Sequence, residues 1–136
     1  MCKKIITMSK NVTTPAELTA ALQSAAQAGK LSVLDCSATW CGPCKAIAPV
    51  FERLAKEFAS TVTALKMDVD EAAVLADALN VTSMPSFFVF KDNEIVKRFS
   101  GASVETLRQA FSFTSPDPQY QLLSPASHPM HSFHEI

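Results

Sequence analysis

Apolar residues in this chain alternate between two spacings, one suited to helices and one to buried strands. Leu18, Ala21, Leu22 and Ala25 recur at three- and four-residue intervals, which lines one face of a helix. Thr14 precedes them as N-cap, Pro15 takes the first helical position, Glu17 completes a capping box, and Gly29 ends the segment. Leu31–Ser37 is instead short, continuous and apolar, the form of a strand covered on both faces. Ile47, Val50, Phe51, Leu54 and Phe58 return to helical spacing. They predict a helix over about 42–59, kinked at Pro49, where a backbone donor is missing.

Residues 5–8 read as a short first strand and 61–68 as a third. A helix is predicted over 71–79 with Asp70 as its cap. Segments 87–90 and 95–99 flank Asp92 and Asn93, which both tolerate positive φ, so a tight hairpin joins them. A last helix spans 104–113 behind Ser103. The order β-α-β-α-β-α-β-β-α gives an α/β fold, a mixed sheet covered by helices.

Composition narrows the class. The 136 residues suit one domain, and 48% hydrophobic against 18% charged residues suits a packed core. Twelve basic and 13 acidic residues leave a formal charge of −1, so nucleic acid and anionic membranes have no electrostatic claim as partners. No apolar run approaches the ~20 residues of a membrane span. Segment 1–8 has two lysines but only a short apolar stretch, not the region of roughly 7–15 residues that a signal peptide needs. A cytoplasmic location is the expectation. Composition shifts after 113: segment 114–136 holds Pro116, Pro118, Pro125 and Pro129 but only Asp117 and Glu135 as charges. A domain over 1–113 and a disordered or loosely docked tail over 114–136 are expected.

The cysteines at 2, 36, 41 and 44 are too clustered for a stapled secreted scaffold. Trp40-Cys41-Gly42-Pro43-Cys44 has the form of a redox dithiol. A thiolate attacks a substrate disulfide, and a second thiol must then resolve the mixed disulfide. Positions i and i+3 share a helix face, so Cys44 can reach Cys41. Pro43 favours the first turn and places Cys41 at the positive end of the helix dipole, where a thiolate is stabilised. Cys41 is therefore expected to attack and the shielded Cys44 to resolve. Half of a zinc site is the competing reading, but it lacks ligands: Cys2 and Cys36 stand apart, and His128, His131 and His134 lie in the tail around Pro129.

Asp35 lies within an apolar strand, where a carboxylate is unfavourable unless paired or protonated. Burial would raise its pKa and let it exchange protons near neutrality. The alternative is an Asp at a frayed strand end, bonded to a loop. Lys66, on another strand, has two readings as well: a neighbour of Asp35, or a lysine with its head in solvent.

Residues 35–45, running from Asp35 through Trp40-Cys41-Gly42-Pro43-Cys44 to Lys45, resemble the active-site stretch of the thioredoxin family. Lys66-Met67-Asp68-Val69-Asp70, Met84-Pro85-Ser86-Phe87 and Phe99-Ser100-Gly101-Ala102 resemble its later landmarks in the same order. The likeness covers about 3–113. It implies a thioredoxin fold, a central mixed five-stranded sheet flanked by four helices. It also implies a protein-disulfide reductase and electron carrier with no bound cofactor or metal, working through a Cys41–Cys44 disulfide. Thioredoxin reductase would recharge it from NADPH; disulfide-containing proteins would be its substrates, and the chain would act as a monomer.

By that resemblance Cys41 is nucleophile, Cys44 resolving thiol, Asp35 the proton-transfer group and Lys66 its tuning neighbour. Trp40, Gly42, Pro43, Met84, Pro85 and Gly101 would form the substrate surface. The Met84–Pro85 bond, which base rates alone assign as trans, would be cis and turn the Met84 backbone toward the site. A substrate segment could then add there as a strand. Cys36 departs from the family by standing where a large aromatic residue is usual, as a small buried hydrophobe or a regulatory thiol. Asp92-Asn93 replaces the usual glycine of the hairpin. A redox-dependent binding module with little turnover is the alternative function.

Overall fold

The computed structural model describes residues 8–113. Strand β1 is Lys10–Asn11, followed by α1 at Pro15–Gln27, β2 at Leu31–Ser37 and α2 at Gly42–Glu57. Then come β3 at Val62–Asp68, α3 at Ala73–Ala78, β4 at Ser86–Lys91, β5 at Glu94–Ser100 and α4 at Val104–Phe111. The element order matches that read from the sequence, and the sheet is five-stranded and mixed, ordered β1-β3-β2-β4-β5.

Local chemistry accounts for most boundaries. The Thr14 hydroxyl accepts from the Glu17 N–H at 3.1 Å, capping α1. The Glu17 carboxylate reaches one residue further back than a capping box requires, to the N–H of Thr13 at 2.7 Å and its hydroxyl at 2.8 Å. The Ser103 hydroxyl caps α4 by accepting from the Thr106 N–H at 3.2 Å. Asp92 and Asn93 adopt φ of 52° and 69°, the pairing a two-residue primed hairpin turn demands. The helical assignment of α2 runs through Pro49.

Two boundaries differ from expectation. Of the expected first strand at 5–8 only Met8 is among the described residues and it lies outside any strand; the first pairing among the described residues begins at Lys10. Apolar character pointed to the isoleucines, but an edge strand needs no apolar face, and Lys10 and Asn11 are exposed. Helix α3 is shorter than 71–79 and starts after Ala72 with no side-chain cap. Asp70 is engaged elsewhere. Cys2, the expected tail and its histidines lie outside the described residues.

Strand β2 lies at the centre, parallel to β3 along its whole length and antiparallel to β4. Its side chains alternate between two apolar layers. Leu34 and Cys36 join Leu18, Leu22 and Leu75 from α1 and α3 on one face. Leu31 and Val33 join Ile47, Phe51 and Leu54 of α2 and Leu107 and Phe111 of α4 on the other. Phe51 sits against Phe87 and, edge-on, Phe111 at centroid distances of 6.1 and 5.5 Å. That packing fixes α2, and with it the turn leading in from β2.

Candidate active site

The chain leaves β2 at Ser37 and enters α2 at Gly42, so the dithiol sits where the central strand gives way to a helix N-terminus. Cys41 is the N-cap residue of α2, and its Sγ accepts from the Cys44 N–H at 3.2 Å. A sulfur in that position faces the positive end of the helix dipole. Pro43 occupies the first turn, where its missing donor has no consequence. Cys41 and Cys44 are joined as a disulfide with Cα atoms 5.2 Å apart.

Both sulfurs are shielded, with Cys41 only 6% and Cys44 4% exposed, and they pack with Ala38 against Met84 and Val69. Around them Trp40, Gly42 and Pro43 lie open to solvent. Trp40 is 64% exposed and donates from Nε1 to Asp70 Oδ2 at 2.7 Å. The sequence pattern gave no hint of this bond, which links positions thirty residues apart. Asp70 lies two residues ahead of Ala72, the N-cap position of α3, and its carboxylate serves Trp40 instead.

Met84–Pro85 is cis, and Pro85 is buried beside the half-buried Met84. The Pro85 carbonyl accepts from the Gly101 N–H at 2.9 Å. Gly101 has φ of 100°, a conformation glycine adopts without strain. Met84 thus packs against the dithiol, and Gly101 is tied to the residue that follows Met84.

Asp35 is in mid-strand and 3% exposed, which removes the frayed-end alternative. Lys66 lies level with it on β3 and Phe87 on β4. Asp35 shares the α2-facing side of β2 with Leu31 and Val33, because side chains two apart point the same way. Loss of hydration dominates its electrostatics and pushes its pKa up to about 7; Lys66 pulls it down, and Glu52 on α2 pushes it up. Its Oδ1 has no hydrogen-bond partner among the described residues. Such a carboxyl changes charge near neutral pH. A cleft of about 370 Å³ reaches Cys44 between Lys66, Lys45, Ser37 and Asp68. A larger one of about 570 Å³ lies far from the dithiol, by Asp92 and Phe113.

Cys36 is wholly buried on the opposite face, and desolvation first, then the Asp35 charge, push its thiol well above the usual range. The small-hydrophobe reading fits that environment; a regulatory thiol needs access and a low pKa. Among the described residues, no cluster of three or more His, Cys, Asp or Glu is arranged to hold a metal.

A family model described as Thioredoxin matches residues 9–112. A thioredoxin H-type of Chlamydomonas reinhardtii is 49% identical over 76 residues, covering 56% of this chain and 67% of that protein. The thioredoxin of Gallus gallus is 42% identical over 102 residues, 75% of this chain and 94% of its own. Among solved structures, Fasciola hepatica thioredoxin superposes with a TM-score of 0.73 at 40% identity, covering 78% of this chain and 99% of that one.

Proposed function

The chain belongs to the thioredoxin family, and we propose that its protein-disulfide reduction runs through Cys41 as nucleophile, Cys44 as resolving thiol and Asp35 as proton-transfer group. The family works without a bound cofactor, its redox group being the dithiol itself, and thioredoxin reductase recharges it from NADPH. The observation that carries the assignment is the Cys41–Cys44 disulfide at the start of α2, with a buried carboxyl on the strand that leads into it.

In the reduced protein the Cys41 thiolate, favoured by the helix N-terminus, attacks one sulfur of a substrate disulfide. A mixed disulfide forms and the other substrate sulfur leaves as a thiolate. Asp35 accepts the Cys44 proton, and the Cys44 thiolate attacks Cys41 Sγ. The second substrate thiolate departs and the Cys41–Cys44 bond forms. Two electrons have passed to the substrate, and NADPH returns two through the reductase. Lys66, the level neighbour of Asp35, restrains the rise of its pKa.

Trp40, Gly42, Pro43, Met84, Pro85 and Gly101 make the docking surface in this reading, supported by the exposure of Trp40, Gly42 and Pro43 beside the cysteines, the packing of Met84 on the sulfurs and the Gly101–Pro85 bond. A cytoplasmic, monomeric electron carrier is the matching setting, supported by the similarity to H-type thioredoxins. No described helix is long and apolar enough to cross a membrane. Residues 1–113 are read as the domain and 114–136 as an appendage, in keeping with the family match over 9–112.

Insulin reduction with NADPH and a thioredoxin reductase tests the whole. Sustained NADPH oxidation dependent on Cys41 is expected. Tight substrate binding without turnover would instead favour a binding module.

A further inference from the structure

The loop that ends in Met84 and Pro85 leaves α3 at Asn80 and enters β4 at Ser86. It starts as a helix stop: Asn80 takes φ of 58°, and the Val81 N–H returns to the Ala76 carbonyl at 3.0 Å. The Asn80 carbonyl is taken by a different element. Arg98 on β5 donates to it from Nη2 at 3.1 Å. Arg98 lies level with Phe88 on β4, and its guanidinium sits over the Phe88 ring, 4.7 Å from the centroid. That ring is wholly buried and gives the guanidinium a fixed floor.

The far end of the loop is held from the same side of the sheet. Three residues beyond Arg98, the Gly101 N–H donates to the Pro85 carbonyl at 2.9 Å. Within the loop the Ser86 hydroxyl donates to the Ser83 carbonyl at 2.6 Å. The loop is therefore tied at both ends to β5 and the residue that follows it, at points roughly 10 Å apart along that chain. Between the ties, Thr82 and Ser83 are exposed, and Met84 packs on the sulfurs. A guanidinium suits the first tie, because its flat face stacks on the ring while an edge N–H reaches the carbonyl.

We propose that Arg98 is a positioning residue for substrate docking: stacked on Phe88 and bonded to the Asn80 carbonyl, it fixes the start of the loop whose end presents the Met84 backbone to a disulfide-bearing segment. The inference rests on the reading of Met84 as part of the docking surface. A loop already held in its binding form spares the substrate the cost of ordering it. Arg98 acts through the loop and takes no part in the exchange of sulfurs.

Arg98→Ala, Arg98→Lys and the native chain are compared in insulin reduction, in reduction of a small aromatic disulfide and in amide hydrogen exchange. Arg98→Ala is expected to raise KM for insulin about two- to fivefold, the range of one exposed hydrogen bond with its stack, while kcat and the small-disulfide rate hold. The Val81 amide should exchange about two- to tenfold faster, with the β2 amides unchanged. Arg98→Lys keeps the charge without the flat face and should recover less than half of the rise in KM. Full recovery in Arg98→Lys overturns the proposal, because charge alone would then suffice. A native KM for insulin in Arg98→Ala, or an equal effect on both substrates, overturns it too.

The premise has its own check. Insulin B chain trapped as a mixed disulfide on the Cys44→Ser protein should protect the Met84 amide from exchange. If it does not, the docking reading fails and takes this inference with it. If it does, while Arg98→Ala reduces insulin as the native chain does, the role of Arg98 alone fails.

Discussion

The indole of Trp40 is tethered to Asp70: its N–H donates a 2.7 Å hydrogen bond to a carboxylate on the loop between β3 and α3. A large aromatic side chain that is mostly exposed would otherwise sample several rotamers, and a docking surface gains from having it ordered beforehand.

Asp70→Ala should therefore weaken recognition more than chemistry. An exposed hydrogen bond is modest in net terms, so we expect a rise in KM for protein disulfides of about two- to fivefold with little change in kcat. Steady-state insulin reduction beside that of a small aromatic disulfide checks this; an equal effect on both substrates would count against a role in docking.

Asp35→Asn should alter both rate and stability. Reduction should slow at neutral pH and lose its pH dependence there. Stability follows from the sign of the shift: the folded-state pKa is raised, through burial, to about 7. Between the ordinary carboxylate range and that value the folded protein holds a proton that the unfolded chain has lost. The stability Asp35 contributes is thus complete at low pH and lost as pH rises through 7. Asn carries no such charge. The variant should match the native protein near pH 4 and exceed it above pH 8 by up to roughly 4 kcal/mol, as read by urea denaturation.

The two sulfurs should fail differently. Cys41→Ser is expected to abolish turnover, because the attacking thiolate is gone. Cys44→Ser should still attack and then stall, accumulating mixed disulfides visible on non-reducing gels. Full catalytic cycling in Cys44→Ser would reverse the assignment.

Cys36 should be silent. With no exposed surface and a thiol pushed upward by desolvation, it should resist iodoacetamide in the native protein and react only after denaturation. Mass mapping of the alkylated peptides decides the point. Rapid native labelling would return it to the class of accessible thiols.

Much of this was legible from residue order because each feature had a local cause. The Thr14 and Ser103 caps, the Asp92-Asn93 turn and the alternation of β2 all depend on residues within a few positions of one another. The dithiol was legible for the same reason, as an i, i+3 pair at a helix start. Asp35 was half legible: its apolar neighbours announced burial, but which charges face it depends on strand register. The Trp40–Asp70 bond was not legible, since it joins polar residues far apart in the chain. A polar residue at an exposed edge also hides a strand, as Lys10 and Asn11 did.

Strand β2 has a bonded neighbour on each side and an apolar layer on each face. Sheets open from their edges, and strands so enclosed are the last to exchange their amide hydrogens. The sulfur pair hangs from that strand rather than from the rim. Fraying of β1 or β5, under heat or mild denaturant, would therefore strip the margins of the molecule before it disturbed the pair of sulfurs that gains and gives up the electrons. Placement at the centre makes the redox capacity durable, independent of the chemistry that sets its rate.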